Sequence, residues 1–262
     1  INPYIPCGTC DNCLDGSENR CDGGEFYTVK RPAQSLQYGF RKNGGMTEYI
    51  VVPVKNVLPI EEEVSDNVAA ISEAIAVGLT AVEKVTNIRE KNFVIFGPGP
   101  IGLSIASLLI GLKANDITIV GVPGDEGRLD LAKHIGVSKA IIQSEDLTEE
   151  LLSSSPKGFD VVMDCSGHHS VPTRAMKLLK KGGEMVLVGI STNEFSLPMD
   201  QIVRGEISIK GSYGITQQTY KKVLEYATKS EFPFESLVSH QFAFEDAVDA
   251  FENALGKAPG KT

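Results

Sequence analysis

Four cysteines within 15 positions carry the clearest chemistry in this sequence: Cys7, Cys10, Cys13 and Cys21, in the pattern C-x2-C-x2-C-x7-C. Thiolates two residues apart can turn back onto one cation, and four of them complete a tetrahedral zinc shell at about 2.3 Å. The alternative is a pair of disulfides, which are typical of small secreted domains, whereas this chain is larger and its first residues do not resemble a secretory signal. We expect a structural zinc, because four cysteine ligands leave no position for water or substrate.

A glycine-rich turn is the second feature with chemical potential. Phe93–Phe96 is a short apolar run, typical of a strand buried on both faces, and Gly97–Gly102 follows it in the form G-x-G-x-x-G. A helical stretch from Leu103 and a β-branched run at Ile117–Val120 come next. In this context the first glycine permits a tight turn, the second lets a pyrophosphate approach the backbone, and the third lets helix and strand pack closely.

This turn predicts a dinucleotide site, in which amides at the helix start hold the phosphates. The alternative is a glycine-rich turn that serves packing alone. The residues predicted to bind the cofactor here are Gly97, Gly99, Pro100, Ile101 and Gly102.

Strand-like and helix-like runs alternate beyond the turn. Phe159–Asp164, Glu184–Val188 and Ile207–Gly211 are predicted strands, and a helix is predicted from Ser170 to Lys180, ended by Gly182-Gly183. The alternation predicts an α/β fold with a doubly wound parallel sheet of the Rossmann type. Ligands of such sheets bind beyond the carboxyl ends of the strands. We therefore expect a cofactor crevice lined by Gly121, Cys165, Ser166, Gly189 and Ile190; for Cys165 alone, a buried apolar role is the alternative.

The two flanks of this region have a different composition. Residues 1–60 are rich in glycine, proline and cysteine, and Tyr49–Val52 is predicted to form a short strand. Apolar residues from Phe244 to Leu255 recur at helical spacing, which predicts an amphipathic helix that buries one stripe.

Composition and charge exclude two classes of function. The chain has 262 residues, with 25 Lys and Arg against 34 Asp and Glu, a net charge of −9. An acidic chain is a poor general nucleic-acid binder, because that role needs cations to neutralise phosphates. No apolar run approaches the roughly 20 residues that span a bilayer. We expect neither a nucleic-acid partner nor a membrane partner, and the length suits two packed units.

The cysteine lobe followed by the dinucleotide unit resembles the zinc-dependent medium-chain alcohol dehydrogenase family, and within it the sorbitol and other polyol dehydrogenase branch. The resemblance extends over essentially the whole chain. It rests on motifs at Pro6–Cys10, Gly45–Tyr49, Glu73–Gly78, Gly97–Gly102, Asp164–Gly167, Ile209–Ser212 and Pro259–Lys261.

The resemblance implies a division into domains. Residues 1–74 are expected to form part of a mostly β, GroES-like catalytic domain with the zinc lobe, residues 75–211 the dinucleotide-binding domain, and residues 212–262 the return to the catalytic domain. The family's first catalytic-zinc ligands precede the cysteine lobe, so we expect the chain to be a fragment that lacks them and is inactive alone. Members of the family are expected to be cytoplasmic homodimers or homotetramers.

The resemblance also implies a reaction: hydride transfer between a small secondary alcohol or polyol and NAD(P), with a catalytic zinc in the intact protein. Glu73 matches the branch's glutamate at or beside that zinc; the alternative is a helix-start glutamate stabilised by the helix dipole. Two other functions stay open. One is a non-catalytic dinucleotide-binding module of the same fold, and the other is a zinc-independent quinone or enoyl reductase.

The choice of cofactor depends on the end of the second strand, where an acidic residue usually binds the ribose hydroxyls of NAD. Counting about 20 positions past Gly102 leads to Gly121, and Asp125 and Glu126 follow a turn later. Arg128 matches a family position close to the adenosine and could supply positive charge. We therefore favour NADP over NAD. Either Asp125 folds back to the ribose, or the site accepts a phosphate.

Overall fold

The computed structural model describes residues 1–22, 36–40 and 42–256. Its strands are β1 Tyr4–Ile5, β2 Leu36–Gln37, β3 Asn92–Phe96, β4 Asp116–Gly121, β5 Lys139–Ile142, β6 Phe159–Asp164, β7 Leu179–Leu187 and β8 Ser208–Gly211. Its α-helices are α1 Asp11–Leu14, α2 Asp66–Val82, α3 Pro100–Gly111, α4 Glu126–His134, α5 Leu147–Ser154, α6 Val171–Leu178, α7 Met199–Gly205, α8 Gln217–Ala227 and α9 Ala247–Ala254.

Six strands form one sheet in the order β5-β4-β3-β6-β7-β8, and every neighbouring pair is parallel. The doubly wound α/β fold predicted from the sequence is therefore confirmed. The chain runs outward from β3 through β4 to β5, then crosses back to place β6 on the other side of β3. This reversal between β3 and β6 opens a crevice at the carboxyl ends of the strands, where ligands of such sheets bind.

Apolar layers cover both faces of the sheet. One layer packs α2, α3, α4 and α8 against it, with Ile75, Leu79 and Ile105 almost fully buried. The other layer includes α5 and α6, with Leu147 and Phe159 inside. Among the elements of the first layer, α2 begins at an N-cap serine, Ser65, whose side chain accepts a hydrogen bond from the Val68 amide.

The structure differs from the sequence prediction near β7. The preceding helix ends at Leu178, and the strand begins at once at Leu179, so Gly182-Gly183 lies within β7 rather than ending a helix. Gly182 has a φ of 73°, which accounts for a glycine there. The short strand β5 was not predicted, because Lys139–Ile142 has few residues and no polar alternation.

The flanks depart further from the prediction. Tyr49–Val52 forms no strand, and Tyr49 and Val51 are 89% and 92% exposed. The predicted C-terminal helix exists as a 3-10 turn, Phe244–Asp246, followed by α9, but it has no buried residue. The Pro259–Lys261 motif lies outside the described residues. Across the described ranges, no helix has the length and apolar character needed to cross a membrane.

Candidate functional site

The turn after β3 has a geometry that requires glycine. Gly97 has a φ of 97°, and its amide donates a hydrogen bond to the Val120 carbonyl at 2.9 Å. A Cβ added to Gly102 would lie 1.9 Å from the Gly97 carbonyl oxygen. A side chain at either position would therefore disturb the turn, as the G-x-G-x-x-G pattern predicts.

Helix α3 begins directly at this turn and presents its first amides to the crevice. Gly99 is the N-cap and Pro100 occupies the first turn, where the missing proline N–H costs nothing. The first intrahelical hydrogen bond runs from the Leu103 amide to the Gly99 carbonyl at 2.9 Å. The amides of Ile101 and Gly102 precede this bond, so they can donate to an anion. The arrangement fits a pyrophosphate.

The opposite wall of the crevice is organised by Asp164, the last residue of β6. Its carboxylate is buried and accepts hydrogen bonds from the Ser166 amide at 2.9 Å, the Ser166 hydroxyl at 2.7 Å and the Gly167 amide at 3.1 Å. The sequence prediction named Cys165 and Ser166 as cofactor residues but not Asp164, which holds their turn. The feature of the sequence that could have identified Asp164 is a carboxylate at the end of an apolar strand.

The ends of β6 and β7 come into close contact. A Cβ added to Gly189 would lie 2.1 Å from the Gly167 nitrogen, so the backbones touch only because both residues are glycine. The amides of Val188 and Gly189 both donate to the Asp164 carbonyl, at 2.9 and 2.8 Å. Ile190 follows and is 78% exposed at this edge. The predicted crevice residues on β6 and β7 therefore lie beside one another.

Cys165 is coupled to the glycine turn rather than exposed as a nucleophile. Its amide donates to the Phe96 carbonyl at 2.9 Å. Burial, with a smaller contribution from the charge of Asp164, raises the pKa of the Cys165 thiol well above its usual value. A neutral thiol is a poor nucleophile, so the position of Cys165 supports a packing role.

Gly121 and Arg128 lie on the β4 side of the crevice. Gly121 is the buried last residue of β4, and Arg128 is in the first turns of α4. Between them, Asp125 accepts hydrogen bonds from the Val122 amide at 3.0 Å and from Arg128 Nη1 at 3.0 Å. Asp125 thus links the end of β4 to α4.

The four lobe cysteines converge on one point. Their sulfur atoms all lie within 4.8 Å of one another, and Cys7 Sγ is 3.9 Å from Cys13 Sγ. A tetrahedral ion bound at about 2.3 Å would place its sulfur ligands about 3.8 Å apart, so the cluster fits zinc. The described residues include all five cysteines, and none of them is in a disulfide.

Backbone groups of the lobe point toward these sulfurs. The amide of Thr9, with its hydroxyl and the amide of Cys10, lowers the pKa of Cys7 to about 6. The Cys7 amide donates to Cys21 Sγ at 3.3 Å. Burial raises the pKa of Cys13 to about 12. Donors directed at sulfur favour the thiolate form that zinc requires.

Glu73 lies in the first half of α2 and is half-buried. Burial raises the pKa of its carboxyl group, and its charge adds to the burial that raises the pKa of Tyr4 and of Tyr220. Within residues 1–22, 36–40 and 42–256, the lobe cysteines are the only grouping of three or more potential metal ligands. Glu73 is therefore not part of a donor set for a second metal in the described residues.

Comparisons with known proteins agree with this geometry. The family model described as zinc-binding dehydrogenase matches residues 100–229, and that of the alcohol dehydrogenase GroES-like domain matches residues 1–62. An L-threonine 3-dehydrogenase of Paraburkholderia phymatum is 28% identical over 262 residues, 98% of this chain and 72% of the relative.

Solved structures share the architecture. A short chain alcohol dehydrogenase from Escherichia coli CFT073, complexed with the cofactor NADH, superimposes with a TM-score of 0.87 at 26% identity, over 100% of this chain and 73% of that one. L-idonate 5-dehydrogenase from E. coli K-12 gives a TM-score of 0.84 at 27% identity, over 100% and 72%. The fold of this chain thus occurs in known dehydrogenases, and the chain belongs to the zinc-dependent medium-chain dehydrogenase family.

Proposed function

We propose that this chain is part of an oxidoreductase that transfers a hydride between a small secondary alcohol or polyol and NAD(P). The observation that carries the proposal is the crevice between β3 and β6, where the Gly97–Gly102 turn faces the joined ends of β6 and β7. The relatives support the reaction class, since they are named as dehydrogenases of L-threonine and L-idonate, and one neighbour holds NADH.

Each wall of the crevice has its own task in this proposal. The amides of Ile101 and Gly102 hold the pyrophosphate, and Gly97 and Gly99 allow the backbone to approach it. The turn fixed by Asp164, with Ser166, Gly189 and Ile190, positions the nicotinamide end of the cofactor. The hydride chemistry is supplied by the nicotinamide when it is bound.

Two different roles are proposed for the metal-binding residues. Cys7, Cys10, Cys13 and Cys21 hold a structural zinc that fixes the lobe and takes no part in the reaction. Glu73 lies at or beside a catalytic zinc in the whole enzyme. In the described residues Glu73 belongs to no group of three or more potential metal ligands, so the other ligands of that metal would come from elsewhere in the whole enzyme.

A non-catalytic dinucleotide-binding module is the second candidate function. The described residues hold a dinucleotide-binding turn but no group of three or more metal ligands that includes Glu73, which fits this candidate and equally fits a dehydrogenase chain that lacks the first catalytic-zinc ligands. A zinc-independent quinone or enoyl reductase is the third, and the converging lobe cysteines argue against it.

The test combines turnover with metal content. Because this chain is expected to be inactive alone, the intact protein of which it is a part is assayed for nicotinamide reduction against a panel of secondary alcohols and polyols, with zinc measured per chain. We expect turnover with at least one of them, and a fall in kcat of about 10- to 100-fold for Glu73→Gln. Glu62→Gln, an exposed carboxylate before the same helix, is the matched control and should not change kcat. Dinucleotide binding without turnover would favour the non-catalytic binding module. Turnover by zinc-free protein would favour the zinc-independent reductase.

We also propose that the protein is a homodimer or homotetramer that joins copies through β8. This strand is at one end of the sheet, and Ile209 on it is exposed. An exposed edge strand can pair with a second copy. Analytical ultracentrifugation should show an oligomer that Ile209→Lys dissociates; a monomeric wild-type protein would contradict this.

Two further assignments belong to the proposal. The domain boundaries are placed at residues 1–74, 75–211 and 212–262. The protein is assigned to the cytoplasm, because zinc-ligating thiols need a compartment that keeps cysteine reduced. Fractionation of the source cells checks the location.

A further inference from the structure

The space above Gly121 is filled by a side chain from further along the sequence. A Cβ added to Gly121 would lie 2.9 Å from Asp125 Cβ and 3.2 Å from Asp125 Oδ2. The Asp125 carboxylate therefore stands where the side chain of residue 121 would begin. A carboxylate at the end of the second strand of the Rossmann unit binds the ribose hydroxyls of NAD, and here one reaches that place from four positions downstream.

The same carboxylate lies next to the glycine-rich turn. The Cβ position of Gly121 is also 3.0 Å from Pro98 Cγ, and Pro98 lies between Gly97 and Gly99, the first two glycines of the turn. Asp125 is thus beside the phosphate-binding segment rather than out in solvent, and its side chain is 14% exposed.

Two donors hold the carboxylate in position. Oδ2 accepts from the Val122 amide and Oδ1 from Arg128 Nη1, both at 3.0 Å. A carboxylate keeps further lone pairs, so it can still accept from a ribose hydroxyl. Arg128 is engaged with Asp125 in an ion pair, and its charge is offset at the place where a 2′-phosphate would need it.

We infer that Asp125 selects NAD(H) over NADP(H), with Arg128 as its positioning residue. The inference rests on the proposed function, since it concerns the same dinucleotide. It reverses the sequence-based preference for NADP, which assumed that Gly121 left the ribose position without a carboxylate and that Arg128 was available to a phosphate.

The test is a binding titration that does not depend on turnover. The chain has no tryptophan, so the fluorescence of the reduced nicotinamide can be followed directly as protein is added to NADH or NADPH. We expect the wild-type protein to bind NADH at least about tenfold more tightly than NADPH, the effect of one hydrogen bond to a charged group.

Variants separate the roles of the residues. Asp125→Asn should weaken NADH binding by about tenfold and strengthen NADPH binding, because the repulsion of a 2′-phosphate is removed. Gly121→Ala should shift the carboxylate and reduce the preference in the same direction. Arg128→Gln should not weaken NADPH binding, since Arg128 holds Asp125 and not a phosphate. Asp130→Asn, on the exposed side of α4, is the matched control and should leave both affinities unchanged.

The outcomes distinguish this inference from the proposed function. If NADPH binds as tightly as NADH, or if Asp125→Asn leaves the ratio of the two affinities unchanged, the selection by Asp125 is overturned while the dinucleotide site stands. If neither dinucleotide binds, both proposals fail. Circular dichroism of each variant confirms that it has folded, and Gly121→Ala provides an independent route to the same displacement.

Discussion

Apolar side chains are placed differently in the sheet region and in the flank that follows the cysteine lobe. In the sheet, Val94 and Ile95 on β3 are fully buried. In the flank, Tyr49, Val51 and Val54 are each more than 85% exposed, although their residue types are just as apolar. The sheet region therefore contains the partners that cover its apolar residues, and the described part of the flank does not.

The difference shows that two kinds of interaction hold the molecule together. Burial of apolar area, at about 25 cal/mol per Å², stabilises the sheet and its helices. The lobe at residues 7–21 has one buried apolar residue, Cys21, and four converging sulfurs, so metal ligation is the main constraint available to it. Changes aimed at one kind of interaction should leave the other region largely intact.

Removal of zinc should have the largest local effect. Structural zinc contributes about 10–16 kcal/mol of apparent binding free energy in small zinc peptides, and the lobe has little else to order it. We expect chelation to release one zinc per chain from this site and to speed amide hydrogen exchange across residues 7–21, while exchange in β3, β6 and β7 stays slow.

Cysteine variants control this experiment. Cys10→Ser should reproduce the effect of chelation, and Cys165→Ser, whose sulfur is outside the cluster, should retain the lobe's zinc. Equal acceleration in the lobe and in the sheet would contradict the separation of the two regions.

The next largest effect is expected when a buried phenylalanine of the sheet and an exposed phenylalanine of α9 are each replaced by alanine. Phe159, on β6, is 1% exposed, and Phe251, on α9, is 57% exposed. Phe159→Ala should lower the free energy of unfolding by about 3–5 kcal/mol, because it leaves a cavity in the second apolar layer. Phe251→Ala should change it by about 0.5 kcal/mol or less. Urea denaturation measures both, and similar losses at the two sites would show that α9 is covered in solution.

The same contrast explains how much could be predicted from the sequence. β3, β4 and β6 were predicted close to their observed bounds, because continuous apolar runs between glycine turns are typical of parallel strands. Tyr49–Val52 has the same residue types but forms no strand. A strand needs a partner, and local sequence does not reveal whether one is present.

The candidate site shows a similar division. The lobe cysteines and the Gly97–Gly102 turn were predicted because their chemistry depends on spacing along the chain. Asp164 was not assigned a role, and Asp125 folding back to the ribose was only one of two alternatives, because both roles depend on how a side chain folds back onto a backbone two or three residues away. For both residues, the sequence does not reveal the path of the tight turn that brings the carboxylate back onto the backbone.

The ion pairs of Glu184 test how much a buried charge stabilises the sheet region. It lies on β7 and pairs with Lys91 and Lys210. Burial alone would raise the pKa of Glu184, but hydrogen bonds and charges from Lys210 and Lys91 outweigh it and leave the pKa below its usual value. Glu184→Gln should lower the free energy of unfolding by about 2 kcal/mol at neutral pH.

The lowered pKa also fixes the sign of the pH dependence. The stabilisation from Glu184 is fully present above the pKa of the unfolded chain and is lost as the pH falls through the lower pKa of the folded state. Urea denaturation across this acidic range should show a steeper loss for wild type than for Glu184→Gln. Glu149→Gln, an exposed carboxylate on α5, is the control; a parallel pH dependence in Glu184→Gln would contradict the assignment.

The smallest effect is expected where a similar ion pair is open to solvent. Lys222 on α8 contacts Glu83 at the end of α2, and each side chain is more than a third exposed. The hydrogen bond to Glu83 raises the pKa of Lys222, so the stabilisation by the charged lysine is present below the pKa of the unfolded chain and is lost as the pH rises through the raised pKa of the folded state. A double-mutant cycle of Lys222→Gln and Glu83→Gln should give a coupling of about 0.2–1 kcal/mol that falls with added salt, since water and ions screen the pair. A coupling as large as the Glu184 effect would mean that burial is not what makes the sheet's ion pairs strong.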